Sequence, residues 1–389
     1  MSEWKEVSLS EMGKTITGKT PSSQYPEDFG DEMPFITPSD SFEKKYINKS
    51  DRFLSRSGSD RLKEKIISPN SIMVTCIGSA MGKVAKNSLS SVTNQQINSI
   101  IVNENFDSDY IYYLLKNNYA VLRNAASGST AIPILNKTDF DNLRFKVELN
   151  LNEQRKMVSI LSTIDDKIET NNQINQELEA MAKTLYDYWF VQFDFPDQNG
   201  KPYKSSGGKM VYHPELKREI PERWGVEKLS HFLTIKNGKD HKHLQDGKFA
   251  VYGSGGIMRT VTDYLYSGES ILFPRKGTIN NVMYVNEKFW TVDTMFYSEV
   301  NKNNSALYVF YSVKDIDFNK LNTGTGVPSM TSSILYDLSI IVPEENILEK
   351  FNTIVKRNYE TIKLNNIQNQ ELTQLRDWLL PMLMNGQVK

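Results

Sequence analysis

Three carboxamides stand in a row at Asn94-Gln95-Gln96, directly behind Ser91-Val92-Thr93. A carboxamide carries a donor and an acceptor side by side, the arrangement that pairs with the major-groove edge of adenine. Cations suited to phosphate oxygens or to the guanine edge stand near small or hydroxyl-bearing residues. They are Lys14 and Lys19 around Gly18 and Thr20, Lys83 behind Gly78 and Ser79, Lys239, and the pair Arg275-Lys276. Ser127 and Ser129 lie in the hydroxyl-rich turn over 127–133 and are candidates for base or backbone contacts. Thr323 and Thr325 are their counterparts later in the chain. Plain solvated surface is the competing explanation for each of these residues taken alone.

Other chemistries fail on their residue requirements. No Asn/Asp-Pro-Pro-aromatic tetrapeptide is present, so the catalytic loop of an adenine methyltransferase is missing. Gly78-Ser79-Ala80-Met81-Gly82-Lys83 looks like a phosphate loop but lacks the GxxxxGK[ST] spacing. The four histidines are His213, His231, His241 and His243; His241 and His243 alone, in a Lys-rich turn, make a weak metal site and read as surface residues. Asp165-Asp166-Lys167 resembles part of a nuclease site, but its place on a long helix favours a solvated acidic face. Cys76 has no nearby histidine and reads as a buried structural thiol. The sequence therefore predicts no catalytic residue and no metal ligand set.

The frame for these residues is large. The chain has 389 residues with 39% hydrophobic and 11% aromatic content, which fits two or three globular domains. A net charge of −1 argues against a uniformly basic nucleic-acid binder. Positive charge is instead concentrated on short stretches, with 8 basic against 3 acidic groups over 44–65 and 11 against 6 over 201–248. One cysteine allows no internal disulfide and fits a reducing compartment. The start, MSEWKEVSLS, has no apolar core, and no run approaches a membrane span, so a cytoplasmic protein is expected.

Two long helices organise the chain. Residues 151–190 contain no Gly or Pro, and Met157, Leu161, Ile164 and Ile168 recur at steps of four and three, as in a coiled-coil seam. Ile174, Leu178, Met181, Leu185 and Tyr188 repeat that pattern after a six-residue slip, a local stammer. The stretch 347–384 repeats it with Phe351, Val355, Ile362, Leu372, Leu375 and Leu379. A shift of 194 residues superposes Asn175-Gln176-Glu177-Leu178 on Asn369-Gln370-Glu371-Leu372, and Leu185 on Leu379. Asn171, Asn175, Asn365 and Asn369 fall where apolar seam residues are expected, which predicts a polar layer with Asn171 near Asn369 and Asn175 near Asn365. In front of each helix stands a globular half. Pro34-Phe35-Ile36-Thr37, Ile72-Met73-Val74-Thr75 and Ser99-Ile100-Ile101-Val102 read as strands, and 109–117 reads as a helix capped by Ser108 or Asp109. In the second half, Ile271-Leu272-Phe273 aligns with Ile72-Met73-Val74, which sets Gly277 on Gly78.

The expected fold is mixed α/β and pseudo-twofold. It has two half-chains, each a globular α/β domain, 1–150 and 226–343, followed by a long coiled-coil helix, 151–193 and 344–389, with a Pro/Gly/Ser-rich connector over 194–225. On residues alone, two functions stay open: a DNA-reading scaffold, or a protein-only adaptor with two interaction domains on a coiled-coil spacer.

The connector with its KPYKSSGG run, the helix ending NNQINQELEAMAKTLYDYWF and the terminal LRDWLLPMLMNGQV resemble the specificity subunit of type I restriction-modification systems. The likeness covers essentially the whole chain and is strongest in the helices and connector. It implies two target recognition domains separated by two long antiparallel coiled-coil helices, each domain reading one half of a bipartite site on double-stranded DNA. It further implies assembly with two methyltransferase subunits and, for cleavage, two motor-nuclease restriction subunits. S-adenosylmethionine would be bound by the methyltransferase and not by this chain. GKTPS over 18–22, SGSTAIP over 127–133 and YGSGG over 252–256 are family-like, which brings Tyr252 and Ser254 among the DNA-binding candidates. Where the first domain has Asn94-Gln95, the second aligns Asp293-Thr294, which departs from a shared adenine-reading role.

Overall fold

The computed structural model describes residues 3–125, 133–321 and 328–387. Ser127, Ser129, Thr323 and Thr325 lie outside the described residues. The chain divides into two compact units, Met1–Asn172 with Asn366–Lys389, and Gln173–Asn365. Each unit joins one sheet-rich domain to a part of both long helices, so the mixed helix-and-sheet class is as expected. The divide runs through the helices rather than at their starts.

In the first unit, Trp4–Ser8 pairs antiparallel with Arg144–Glu148, which brings the two ends of the domain together and leads into the helix Leu151–Tyr186. A five-stranded sheet follows the order Gly13–Thr17, Ile97–Val102, Ile72–Thr75, Val84–Asn87, Tyr46–Ile47. A second has the order Phe29–Gly30, Phe53–Leu54, Met33–Ile36, Ser91–Thr93, Ile66–Ile67. These short runs are rich in β-branched and aromatic residues, which suit a pleated, half-buried surface. The helix Ser108–Asn117 buries Tyr110, Ile111, Tyr112, Tyr113, Leu114 and Leu115 in the main core. Its cap is Asp107, ahead of both expected positions, Ser108 and Asp109. The Asp107 carboxylate reaches the N–H groups of Asp109 and Tyr110, while the Ser108 hydroxyl accepts from Lys86.

The second unit repeats the plan. Gly225–Lys228 pairs antiparallel with Ser339–Val342, the strand ahead of the helix Glu345–Met384. Its six-stranded sheet runs Leu233–Asn237, Met295–Val300, Tyr266–Pro274, Met283–Thr291, Asp246–Gly253, Gly256–Val261. The first four follow the order and antiparallel pairing of Gly13–Thr17, Ile97–Val102, Ile72–Thr75 and Val84–Asn87. The connector is folded rather than slack. Its hairpin Met210–His213 with Arg218–Pro221 leads to Trp224, whose ring stacks on Phe195 at 4.7 Å and also meets Phe190 and Phe193.

Within each unit the long helices run antiparallel. In the first, Asp165 meets Arg376 and Asn171 meets Asn369; in the second, Asn175 meets Asn365 and the carbonyl of Leu178 accepts from Asn358. The seam differs from the expected one. Along the first helix the seam positions Met157, Leu161, Ile164, Ile168 and Asn171, then Asn175, Leu178, Ala182, Leu185 and Trp189 are all buried or half-buried. Steps of four and three continue without a stammer, and Ile174, Met181 and Tyr188 are exposed. Two asparagines can hold seam places because each finds an amide partner across the pair, so no phase change is needed. On the second helix Leu372 and Leu379 are half-buried, Leu375 is exposed, and Arg376 takes the seam position beside it. The first helix ends in a π turn, Asp187–Val191.

Candidate nucleic-acid interface

A turn carrying Gly18 and Lys19 leaves the strand Gly13–Thr17 and crosses the end of the strand Ser91–Thr93. The Gly18 N–H donates to the Ile97 carbonyl at 3.1 Å and the Lys19 N–H to the Thr93 carbonyl at 2.8 Å. Only glycine fits here, because a Cβ on Gly18 would stand 2.2 Å from the carbonyl oxygens of Thr93 and Asn94. Beside it, Ile97 N–H donates to Asn94 O, and Cys76 N–H to Gln96 O at 2.7 Å. The next strand end is tied by Leu135 N–H to Cys76 O and Gly78 N–H to Pro133 O.

The second unit rebuilds this frame. Gly238 N–H donates to Met295 O and Lys239 N–H to Thr291 O, both at 2.9 Å; Met295 N–H donates to Val292 O. Arg275 N–H donates to Thr294 O at 2.8 Å, Met330 N–H to Arg275 O, and Gly277 N–H to Pro328 O. A Cβ on Gly238 would stand 2.0 Å from Val292 O. Matching these bonds sets Gly238-Lys239 on Gly18-Lys19, Asp293 on Gln95, Thr294 on Gln96, and Arg275-Lys276 on Cys76-Ile77. The correspondence at the amides thus lies one residue earlier than the alignment Asn94-Gln95 with Asp293-Thr294, since the paired strands hold the register and the intervening loops differ in length.

Side chains at the frame divide into structural and presented groups. Asn94 is only 8% exposed and binds Gln96 twice, through its own amide and through the Gln96 N–H, so it shapes the turn and does not face a base. Gln95 is exposed, with its Oε1 accepting from the Thr20 hydroxyl at 2.7 Å. Lys14, Lys19, Lys239, Arg275 and Lys276 are all exposed, as is Asp293. Tyr252 instead belongs to a core, where its hydroxyl donates to Glu287 at 2.9 Å. Ser254 is half-buried, its carbonyl holding Asn281. Lys83 is ion-paired with exposed Glu43, and the Ser79 carbonyl accepts from Arg123. Gly78 and Gly277 both adopt positive φ, +85° and +86°, which a side chain would strain. Burial pushes the Cys76 thiol up to about 12, so it is an inert core group. Among the described residues no cluster of three His, Cys, Asp or Glu side chains could hold a metal.

Sequence reasoning did not reach the polar cluster joining the first domain to its helix. Lys45, in the basic stretch over 44–65, turns inward to Asp109 at 3.0 Å and to the Ser162 hydroxyl of the long helix. Lys86, 2% exposed, reaches the same carboxylate. Asp165, expected on a solvated face, is half-buried between Arg376 and the Tyr113 hydroxyl, because the long helix lies against the helix Ser108–Asn117. Periodicity cannot show this, since a buried cation and a solvated one look alike in a sequence.

The chain is similar to known proteins along its whole length. The model of the type I restriction modification DNA specificity domain matches residues 1–180 and 221–374. Identity to the type I restriction enzyme MjaIX specificity subunit of Methanocaldococcus jannaschii is 29% over 423 residues, 100% of this chain and 94% of that one. Identity to the HindI specificity subunit of Haemophilus influenzae is 36% over 188 residues, 47% of this chain and 40% of that one. The solved type I restriction-modification S subunit from M. genitalium shares the fold, with a TM-score of 0.65 at 17% identity over 98% of this chain and 96% of that one. With the match falling on both halves of a duplicated frame, the chain belongs to the type I restriction-modification DNA specificity family.

Proposed function

We infer that this chain is the DNA-reading subunit of a type I restriction-modification system, and that it recognises a target in two parts without supplying a catalytic group. The observation that carries the two-part reading is the duplicated frame: one backbone scaffold appears in each unit and bears different exposed side chains. Exposed cations on that frame would bind phosphate and set position, while amide, carboxylate and guanidinium groups would read base edges.

The finer assembly follows the same reading. Two methyltransferase subunits bind the chain and carry S-adenosylmethionine, and two motor-nuclease subunits join for cleavage. Ile174, Met181 and Tyr188 support a protein partner on the first long helix, since they are exposed at seven-residue steps along one line. No described helix is long and apolar enough to cross a membrane, and a DNA-modifying complex would work in the cytoplasm.

The test is a pool of randomised duplexes presented to the chain together with its methyltransferase. Selection of two short sequences at a fixed gap is the expected result. Equal retention of all duplexes would overturn the reading and favour a protein-only adaptor.

A further inference from the structure

The frame bonds pair Gln95 with Asp293, and these two positions have more in common than their place in the fold. Both sit in the middle of the turn between two strands, and both are exposed. Their neighbours are tied back. Asn94 is buried and bonded to Gln96, the Gln96 carbonyl holds Cys76, and the Thr294 carbonyl holds Arg275. In each turn the residue at this position is therefore the one whose side chain is presented while the backbone on both sides is fixed.

The surroundings differ in a chemically directed way. In the first unit the Thr20 hydroxyl donates to Gln95 Oε1 at 2.7 Å, which leaves the amide N–H groups and the second lone pair of that oxygen available. An oriented carboxamide of this kind matches the N6 and N7 groups of adenine. In the second unit Asp293 stands in a frame with exposed Lys239, Arg275 and Lys276, where the first unit has Lys19, Cys76 and Ile77. The backbone N–H groups of Arg275 and Lys276 both donate to Thr294 O, so the two basic residues are tied to the residue next to Asp293. Phosphate attracted by those cations repels a carboxylate. An ionised carboxylate can only accept, so the DNA group it suits is an exocyclic amine, and among single base edges the N4 amine of cytosine.

We propose that Gln95 and Asp293 are the equivalent specificity-determining residues of the two domains, Gln95 for an adenine and Asp293 for a cytosine amine. This rests on the DNA-reading function inferred above. The basic pair at Arg275 and Lys276, where the first unit has Cys76 and Ile77, offsets the charge of Asp293 toward the duplex.

The experiment uses the full chain in complex with its methyltransferase subunits and a randomised duplex pool, with Asp293→Asn and Gln95→Glu compared to the parent. Both substitutions keep size and sit at exposed positions, and the salt dependence of binding checks that each complex is intact. Asp293→Asn is expected to lose roughly ten- to hundred-fold discrimination for cytosine at one position of one half-site, leaving the other half-site unchanged. Gln95→Glu is expected to lose adenine and gain cytosine at one position of the opposite half-site. An unchanged bipartite consensus in both variants would overturn the assignment while leaving the DNA-reading function standing. Weakening of all sequences alike would also overturn it, because it would make these residues positioning groups. Failure of the parent complex to select any bipartite sequence would overturn both.

Discussion

Asp165 and Arg376 form a 2.9 Å ion pair between the two long helices inside the first unit, with side chains 9% and 16% exposed. Arg376 holds a seam position that the heptad rule assigns to an apolar residue, and it can do so because Asp165 and the Tyr113 hydroxyl complete a part-buried polar set. Removing Arg376 takes away the cation beside Asp165 and leaves its carboxylate the Tyr113 hydroxyl, whereas Arg376 itself also pairs with exposed Asp377. Arg376→Ala should destabilise the chain by about 3–5 kcal/mol, whereas Asp165→Leu combined with Arg376→Leu should recover most of that loss. Urea unfolding of the two variants decides it; a single-variant loss under about 1 kcal/mol would mean the pair behaves as a solvated one.

The asparagine layer makes a separate prediction. Asn171 donates to both Gln368 and Asn369 at 2.8 Å, and Asn369 donates onward to Asn172. Asn171→Leu should cost about 1–3 kcal/mol, because it leaves partner acceptors unmet. Replacing Asn171 and Asn369 together by Leu should reverse the sign and raise the denaturation midpoint, at the expense of register and assembly state. Midpoints and light-scattering masses for the two variants separate these outcomes; a double variant weaker than the single one would count against a register role.

Acid should weaken the first unit through Asp109. Burial alone raises its pKa, but Lys86 and Lys45 outweigh burial and hold it below the usual carboxylate value. The folded chain therefore binds this proton less readily than the unfolded chain. The stabilisation is present in full above the unfolded value of about 3.9 and is lost as pH falls through the lower folded value. Asp109→Asn should flatten the stability curve in that acid window. It should also lower stability at neutral pH, where buried Lys86 loses its anion. Urea midpoints across the acid range test both parts.

What could be read in the sequence was set by local patterning. Ile72–Thr75 was legible as a strand from its β-branched run, and the helix pair from apolar spacing and the repeated Asn-Gln-Glu-Leu. Hydrophobicity puts Ile174, Met181 and Tyr188 on the seam, whereas the unbroken count of four and three through Asn171 and Asn175 leads to Leu178, Ala182 and Leu185, the positions that are covered. The equivalence of Gly18 with Gly238 was hidden for another reason. The two glycines are 220 residues apart while Ile97 and Met295 are 198 apart, so no single shift aligns both, and only the hydrogen bonds restore the match. The inward turn of Lys45 depends on the packing of three separated segments, which spacing does not encode.

The Gly-Lys turn gives the last prediction. Lys19 and Lys239 hold equivalent places, are exposed, and make no ion pair among the described residues. If both contact phosphate, Lys19→Ala and Lys239→Ala should each weaken binding to all sequences alike. Each should make the slope of log affinity against log salt shallower by about one, and the double variant by about two. Gly18→Ala acts on geometry instead of charge. Its Cβ would meet two carbonyl oxygens at 2.2 Å, so the turn must open and carry Lys19 away from its place. Binding should fall by a similar factor while the lysine is still present, and thermal stability should fall with it, which Lys19→Ala should not cause. A salt slope unchanged in both lysine variants would mean that the exposed cations of the frame do not touch DNA, and that the phosphate contacts come from elsewhere in the chain or from the methyltransferase subunits.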